Sequence, residues 1–251
     1  MNERGDPAAG AAAGHDAQRG GRDAGRREVV ITIDGPAGSG KSTTAKEVAR
    51  RLGLRHLDSG GLYRALTLAL LRSGVPPSEW ARLDDDAFRR LAIRLRPGSG
   101  GFDVLLGDDV PGEALRSPEV TRLVPYLAGL PAARARLVEL QRSAAELGGL
   151  VADGRDMGTV IFPDAPLKVY LTASLEERAR RRLLQEGDGR TDEAAVRREA
   201  ERLRERDEAD EGRNVAPLRR PDDAFELDTT GLSFDEQVDR IVQAARGLSG
   251  S

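Results

Sequence analysis

The chain has 251 residues and a formal net charge of −3, which allows one well-buried domain or two small ones and gives no global attraction to nucleic acid. It has no cysteine and only two histidines, His15 and His56, which excludes disulfides and cysteine or histidine metal clusters. No run of about 18 apolar residues marks a membrane span, and the first residues lack an apolar signal core, so a cytoplasmic protein is expected. Residues 1–27 mix Gly, Ala, Arg and Asp without apolar periodicity and are expected to form a disordered tail. Read as a nucleic-acid-binding arm they are unconvincing, because Glu3, Asp6, Asp16 and Asp23 dilute the arginines. One domain is expected over residues 28–251.

The first element is an apolar run, Val29–Ile33, which predicts a buried strand. Gly35-Pro36-Ala37-Gly38-Ser39-Gly40-Lys41-Ser42 follows and leads into a predicted helix from Ser42 to Leu52. Strand, glycine loop, lysine, hydroxyl and helix form the order of a phosphate-binding P-loop. Glycines let successive backbone N–H groups point at one centre, and the helix start adds unsatisfied donors and a positive dipole end. Lys41 then reaches the outer phosphates of a nucleoside triphosphate. Ser42 holds the Mg²⁺ that bridges them, with Thr43 next to it. The basic residues number 39, yet lysine occurs only at 41, 46 and 168, so a composition that avoids lysine still places one in this loop.

Further predicted strands are Arg55–Leu57, Leu150–Ala152, Leu167–Leu171 and Phe225–Leu227, with helical patterns filling most of the space between. The alternation predicts an α/β fold: a five-stranded parallel sheet with helices on both faces. Ligands in such sheets bind beyond the carboxyl ends of the strands. Three strands end in polar clusters there: Asp34-Gly35, Asp58-Ser59-Gly60 and Asp153-Gly154-Arg155-Asp156. Between Leu66 and Leu147 the rhythm changes. Ile93–Leu95 and Val104–Leu106 predict a hairpin around Pro97-Gly98-Ser99-Gly100-Gly101, and Ala132–Leu147 predicts a helix. Residues 59–149 are read as an inserted lobe. Residues 175–185 and 192–210 predict two charged helices, broken at Glu186-Gly187-Asp188-Gly189-Arg190. They form either a solvated face held by pairs such as Glu193/Arg197 or a lid near 178–192 that brings arginines over a phosphate. Trp80 and His56 are read as packing residues.

Four segments carry a resemblance: the P-loop; Asp58-Ser59-Gly60-Gly61-Leu62-Tyr63-Arg64; Asp153-Gly154-Arg155-Asp156-Met157-Gly158-Thr159; and Arg206-Asp207-Glu208-Ala209-Asp210-Glu211-Gly212-Arg213 with Ala216-Pro217-Leu218. Together they resemble the bacterial cytidylate kinases, over Val29 to about residue 245. The resemblance implies a monomeric P-loop kinase that moves the γ-phosphoryl of ATP to CMP or dCMP with Mg²⁺, and has an enlarged monophosphate-binding insert. It implies that Arg64, with Ser59 nearby, and Arg155 and Arg213 grip the phosphate of CMP. Arg134 and Asp156 meet the cytosine ring, and Arg206 and Asp210 meet the ribose. Asp153 joins Ser42 in the Mg²⁺ shell, and Arg181 and Arg182 stabilise the migrating phosphoryl alongside Lys41. Arginine suits these places because its planar fork holds two phosphate oxygens at once. Plain alternatives stand beside these roles. Arg206 and Asp210 are spaced for a helix salt bridge, Asp58 for a helix cap, and Tyr63 for packing. Many relatives carry a serine nine residues before the arginine matched to Arg134, and this chain has Pro125 there. Either base reading leans more on Arg134 and Asp156, or the local match is shifted.

Two other functions fit the P-loop alone: a small kinase for a different nucleoside monophosphate or metabolite, and a GTP-dependent switch. The switch would commonly show Asn-Lys-x-Asp, and none of the three lysines follows an asparagine.

Overall fold

The structure is a computed structural model that describes residues 29–185 and 192–248. The expected tail and the glycine break at 186–190 lie outside the described residues. Five parallel strands form the sheet: β1 (Val30–Asp34), β2 (Arg55–Asp58), β5 (Leu150–Asp153), β6 (Leu167–Thr172) and β7 (Phe225–Asp228), in the order β2-β5-β1-β6-β7. A hairpin of β3 (Ile93–Pro97) and β4 (Phe102–Leu106) stands apart.

Each sheet strand runs one residue further than its apolar run, and the extra residue is the polar one. Ile33 pairs with Asp153 in β1/β5 and Asp58 pairs with Asp153 in β2/β5. Asp34, Asp58 and Asp153 therefore stand together along the carboxyl edge of the sheet.

Alternation along the strands sorts two cores. Val151, Ile31 and Ile33 face helices α1 (Lys41–Leu52) and α8 (Phe234–Leu248), through Ala45, Val48, Val238 and Ile241. Leu150 and Ala152 face the other side, where α2 (Ser59–Arg72), α4 (Pro118–Ala128) and α5 (Pro131–Glu146) supply Leu62, Leu66, Leu127 and Leu137. A short helix, α3 (Asp85–Arg90), adds Phe88 to this core. Trp80 is fully buried there, its indole N–H donating to the Val75 carbonyl at 2.9 Å, so it packs as expected. Truncating such a residue costs about 3–5 kcal/mol.

A third, small core lies under the charged helices α6 (Leu175–Gln185) and α7 (Glu193–Glu211), where Ala179, Leu183, Val196 and Leu203 pack with Ala37 of the glycine loop. The two faces of this pair differ. Arg197 and Glu193 pair at 2.9 Å almost fully in solvent, where such a bond adds little. On the inner face Arg178, Glu199, Asp207 and Asp210 are buried.

Candidate active site

The glycine loop turns tightly between β1 and α1. Gly35 has φ +149, and a Cβ there would fall 2.1 Å from the Leu171 carbonyl oxygen, so only glycine lets the loop leave β1 against β6. Ser39 is buried and its hydroxyl donates to the Pro36 carbonyl at 3.0 Å. Lys41 folds back over the loop, its ammonium donating to the Pro36 carbonyl at 2.6 Å and to Ser39 Oγ at 3.3 Å. Burial, then the charge of Arg155, pushes the Lys41 pKa well below its ordinary value.

The loop forms one wall of a cleft of about 240 Å³. Ala37, Gly38, Gly40, Lys41, Ser42 and Thr43 line it from the loop side. Ser59, Arg64, Arg134, Arg155, Asp156, Arg206, Asp210 and Arg213 line the same cleft, as do Asp153, Arg181 and Arg182. Of the residues expected at the site, Gly35, Pro36 and Ser39 stay outside the cleft and shape the loop.

Arg64, Arg134, Arg155 and Arg213 are each held by an aspartate. Arg64 donates to Asp58 at 2.7 Å, while its own Nε is buried without a partner. Asp58 also accepts from the Gly61 N–H at 2.8 Å, so the capping role holds as well. Arg155 donates to one oxygen of Asp210 at 2.7 Å and Arg213 donates to the other. Asp210 is thus occupied by these two and the helix bridge to Arg206 does not form. Burial, and then the neighbouring charge of Arg155, lowers the Arg206 pKa. Five arginines, Arg64, Arg134, Arg155, Arg206 and Arg213, face three aspartates, Asp58, Asp156 and Asp210. The surplus matches a phosphate dianion.

Arg134 and Asp156 are both buried and directly paired. Arg134 also donates to the Tyr63 hydroxyl at 2.8 Å and stands 6.0 Å from its ring centre. Tyr63 therefore does more than pack; burial pushes its hydroxyl up to about 12, which keeps it neutral and able to accept. Pro125 is exposed within α4, and Val124 and Ala128 line the cleft instead.

Arg181 has a partner for each nitrogen. Nε donates to Glu177 at 2.8 Å, and Nη1 and Nη2 donate to the Thr229 hydroxyl and carbonyl at 2.9 and 2.7 Å.

Several contributors carry no motif. Asp207 accepts from the Ala37 N–H at 2.8 Å, and Arg178 donates to the Ala37 carbonyl at 2.8 Å and to Asp207 at 2.5 Å. These two side chains clamp the glycine loop to α6 and α7. Asp34 is fully buried and accepts from the N–H groups of Met157 and Gly158 at 2.9 and 2.7 Å. Desolvation, only partly offset by those bonds, raises its pKa to about 7. Asp34 was visible as a polar strand end; nothing in the chain order indicated that it would seat the segment after Asp156.

Ser42 donates to Asp153 Oδ2 at 2.5 Å. A hydroxyl beside a carboxylate suits Mg²⁺, which prefers oxygen ligands and keeps phosphates and water in its remaining positions. Among the described residues no group of three or more His, Cys, Asp and Glu forms a cage by itself. The pair therefore fits an ion that arrives with phosphates.

A family model described as cytidylate kinase matches residues 31–247. The chain belongs to the cytidylate kinase family. A cytidylate kinase of Stutzerimonas stutzeri (strain A1501) is 47% identical over 230 residues, covering 88% of this chain and 97% of that one. One of Symbiobacterium thermophilum is 46% identical over 225 residues, covering 88% and 98%. A bifunctional pantoate ligase/cytidylate kinase of Synechococcus elongatus is 45% identical over 233 residues, covering 90% of this chain and 44% of its own length. The family match spans every segment that lines the cleft, including the insert and α7.

Proposed function

We propose that this chain transfers the γ-phosphoryl group of ATP to CMP or dCMP, releasing ADP and CDP or dCDP. One observation carries the reading within the family. The lysine loop and Arg64, Arg155 and Arg213 line one and the same cleft, which supports a triphosphate and a monophosphate meeting in it.

The acceptor is a phosphate oxygen. Its last proton leaves near pH ~6, so it is anionic at neutral pH and needs no general base. That oxygen forms a bond to the γ-phosphorus as the bond to the β–γ bridging oxygen breaks, and ADP keeps the electron pair. Positioning and charge compensation are what the protein supplies. Lys41 exchanges its bonds to Pro36 and Ser39 for the outer phosphates. Arg155 and Arg213 turn from Asp210 to the phosphate of CMP, and Asp210 becomes free to meet the ribose with Arg206. Arg64 brings its unpartnered Nε. Arg181 and Arg182 stand where charge builds on the migrating group. Asp156 accepts from the exocyclic amine of cytosine, and uracil presents a carbonyl there instead. Ser42 and Asp153 would hold Mg²⁺, which would offset the charge of the phosphates. Helices α6 and α7 act as the lid, closing to keep water from the γ-phosphorus. The unit works as a monomer in the cytoplasm, where its nucleotides are.

The test is ADP release across a panel of nucleoside monophosphates. CMP and dCMP should lead, with UMP well behind. ATP consumption independent of CMP, or a lead for AMP or GMP, would refute the assignment.

A further inference from the structure

The geometry points to His56 as a positioning residue that fixes the orientation of the Asp153 carboxylate for Mg²⁺, a proposal that rests on the metal role given to Asp153 above. His56 lies on β2 opposite Val151 of β5, so its side chain shares a face with Asp153, two residues further along. Its Nε2 is 2.7 Å from Asp153 Oδ1. An ionised carboxylate only accepts, so Nε2–H donates. The other oxygen, Oδ2, accepts from Ser42. One carboxylate is thus held from two sides, by the imidazole behind and the serine hydroxyl in front. With Oδ1 tied, Asp153 cannot rotate about its last torsion, and Oδ2 stays aimed at the hydroxyl that would share the ion. His56 does not line the cleft, so it does not touch nucleotide itself.

The backbone of His56 is in turn held by the hairpin. The turn between β3 and β4 runs beside β2: the His56 N–H donates to the Gly100 carbonyl at 3.2 Å, and His56 bridges Gly101. A Cβ on Gly101 would fall 2.6 Å from the His56 carbonyl oxygen. The glycines of the hairpin turn let it lie directly on His56. The hairpin thus fixes the backbone from which the imidazole reaches Asp153.

The test is ATP affinity by calorimetry without CMP, as a function of Mg²⁺ and in EDTA. His56→Leu should raise the Mg²⁺ concentration that gives half of the metal-dependent gain by about tenfold, the low end for outer partners of metal ligands. Affinity in EDTA should stay at the wild-type value. His56→Gln, whose amide N–H reaches the place of Nε2–H, should restore most of the loss. If leucine costs the fold, His56→Asn, whose amide stops short of Asp153, gives the same reading. An unchanged Mg²⁺ midpoint in folded His56→Leu or His56→Asn, or an equal loss in EDTA, would overturn the proposal. Asp153→Asn separates the two levels. If it abolishes the Mg²⁺ dependence while His56→Leu leaves it intact, only the role of His56 falls. If Asp153→Asn also keeps wild-type Mg²⁺ dependence, the metal role of Asp153 falls with it.

Discussion

The two walls of the cleft are built in different ways. The wall from Gly35 to Thr43 is one contiguous loop made mainly of backbone, and its lysine is satisfied by the loop itself. The rest of the cleft is lined by side chains from α2, α5, α7 and the segment after β5, where Arg64, Arg134, Arg155 and Arg213 are each held by an aspartate. A backbone cradle is complete as soon as the chain turns correctly, whereas a side-chain cradle exists only once distant elements have packed.

The sharpest way to break this comparison is Lys41→Ala. Turnover should fall by about 10³-fold, as for removal of a preorganised charge in a closed site, with ADP release as the readout. Lys41 is buried at an electrostatic cost, so the variant should melt no lower than the parent. Full activity in the folded variant would remove the lysine loop from the chemistry.

The acceptor wall is probed next by Asp156→Ala. The ratio of kcat/KM for CMP over UMP should fall by roughly 10- to 100-fold, the range for one base-edge contact of 1–3 kcal/mol. Activity with saturating ATP should remain measurable. An unaltered ratio would mean that cytosine is read elsewhere, for instance by shape against Val124 and Ala128.

A third test concerns stability at the seam of the cleft. Asp34 ends the strand that enters the lysine loop and holds Met157 and Gly158, just after the acceptor residues. Its carboxyl titrates at about 7 in the folded state against 3.8 as a free group, because burial disfavours its charge. Below pH ~4 both states hold the proton. From there to about pH 7 the folded state keeps a proton that the unfolded chain releases, so this contribution to stability declines as pH rises, then levels off. Asparagine does not titrate. Urea unfolding should therefore show Asp34→Asn gaining on the parent between pH ~4 and ~7, by at most about 4 kcal/mol. A difference that does not vary with pH would show that Asp34 is charged throughout.

The limits of legibility follow the same division. Apolar runs such as Val29–Ile33 and Leu167–Leu171 locate their strands to within a residue, because their apolar side chains are the ones the sheet must bury. The single-residue extensions to Asp34, Asp58, Asp153, Thr172 and Asp228 were invisible, since strand pairing continues through a polar residue once its neighbours are aligned. His56 was read as packing because a histidine two places before an aspartate carries no pattern. Its meaning lies in Asp153, 97 positions away. Asp207 and Arg178 looked like part of a solvated helix face, and only the docking of α6 and α7 on Ala37 turned them inward.

By itself the sequence determined the parallel α/β sheet, the lysine loop and the family to which its four motifs point. Those features rest on local geometry: hydrophobic period, glycine conformation and fixed spacing. Tertiary structure alone decided which carboxylate restrains which arginine, that Asp210 serves Arg155 and Arg213 rather than Arg206, and that an imidazole stands behind Asp153. Pairing of buried charges depends on distances between elements far apart in the chain, and those distances exist only when the cores have closed.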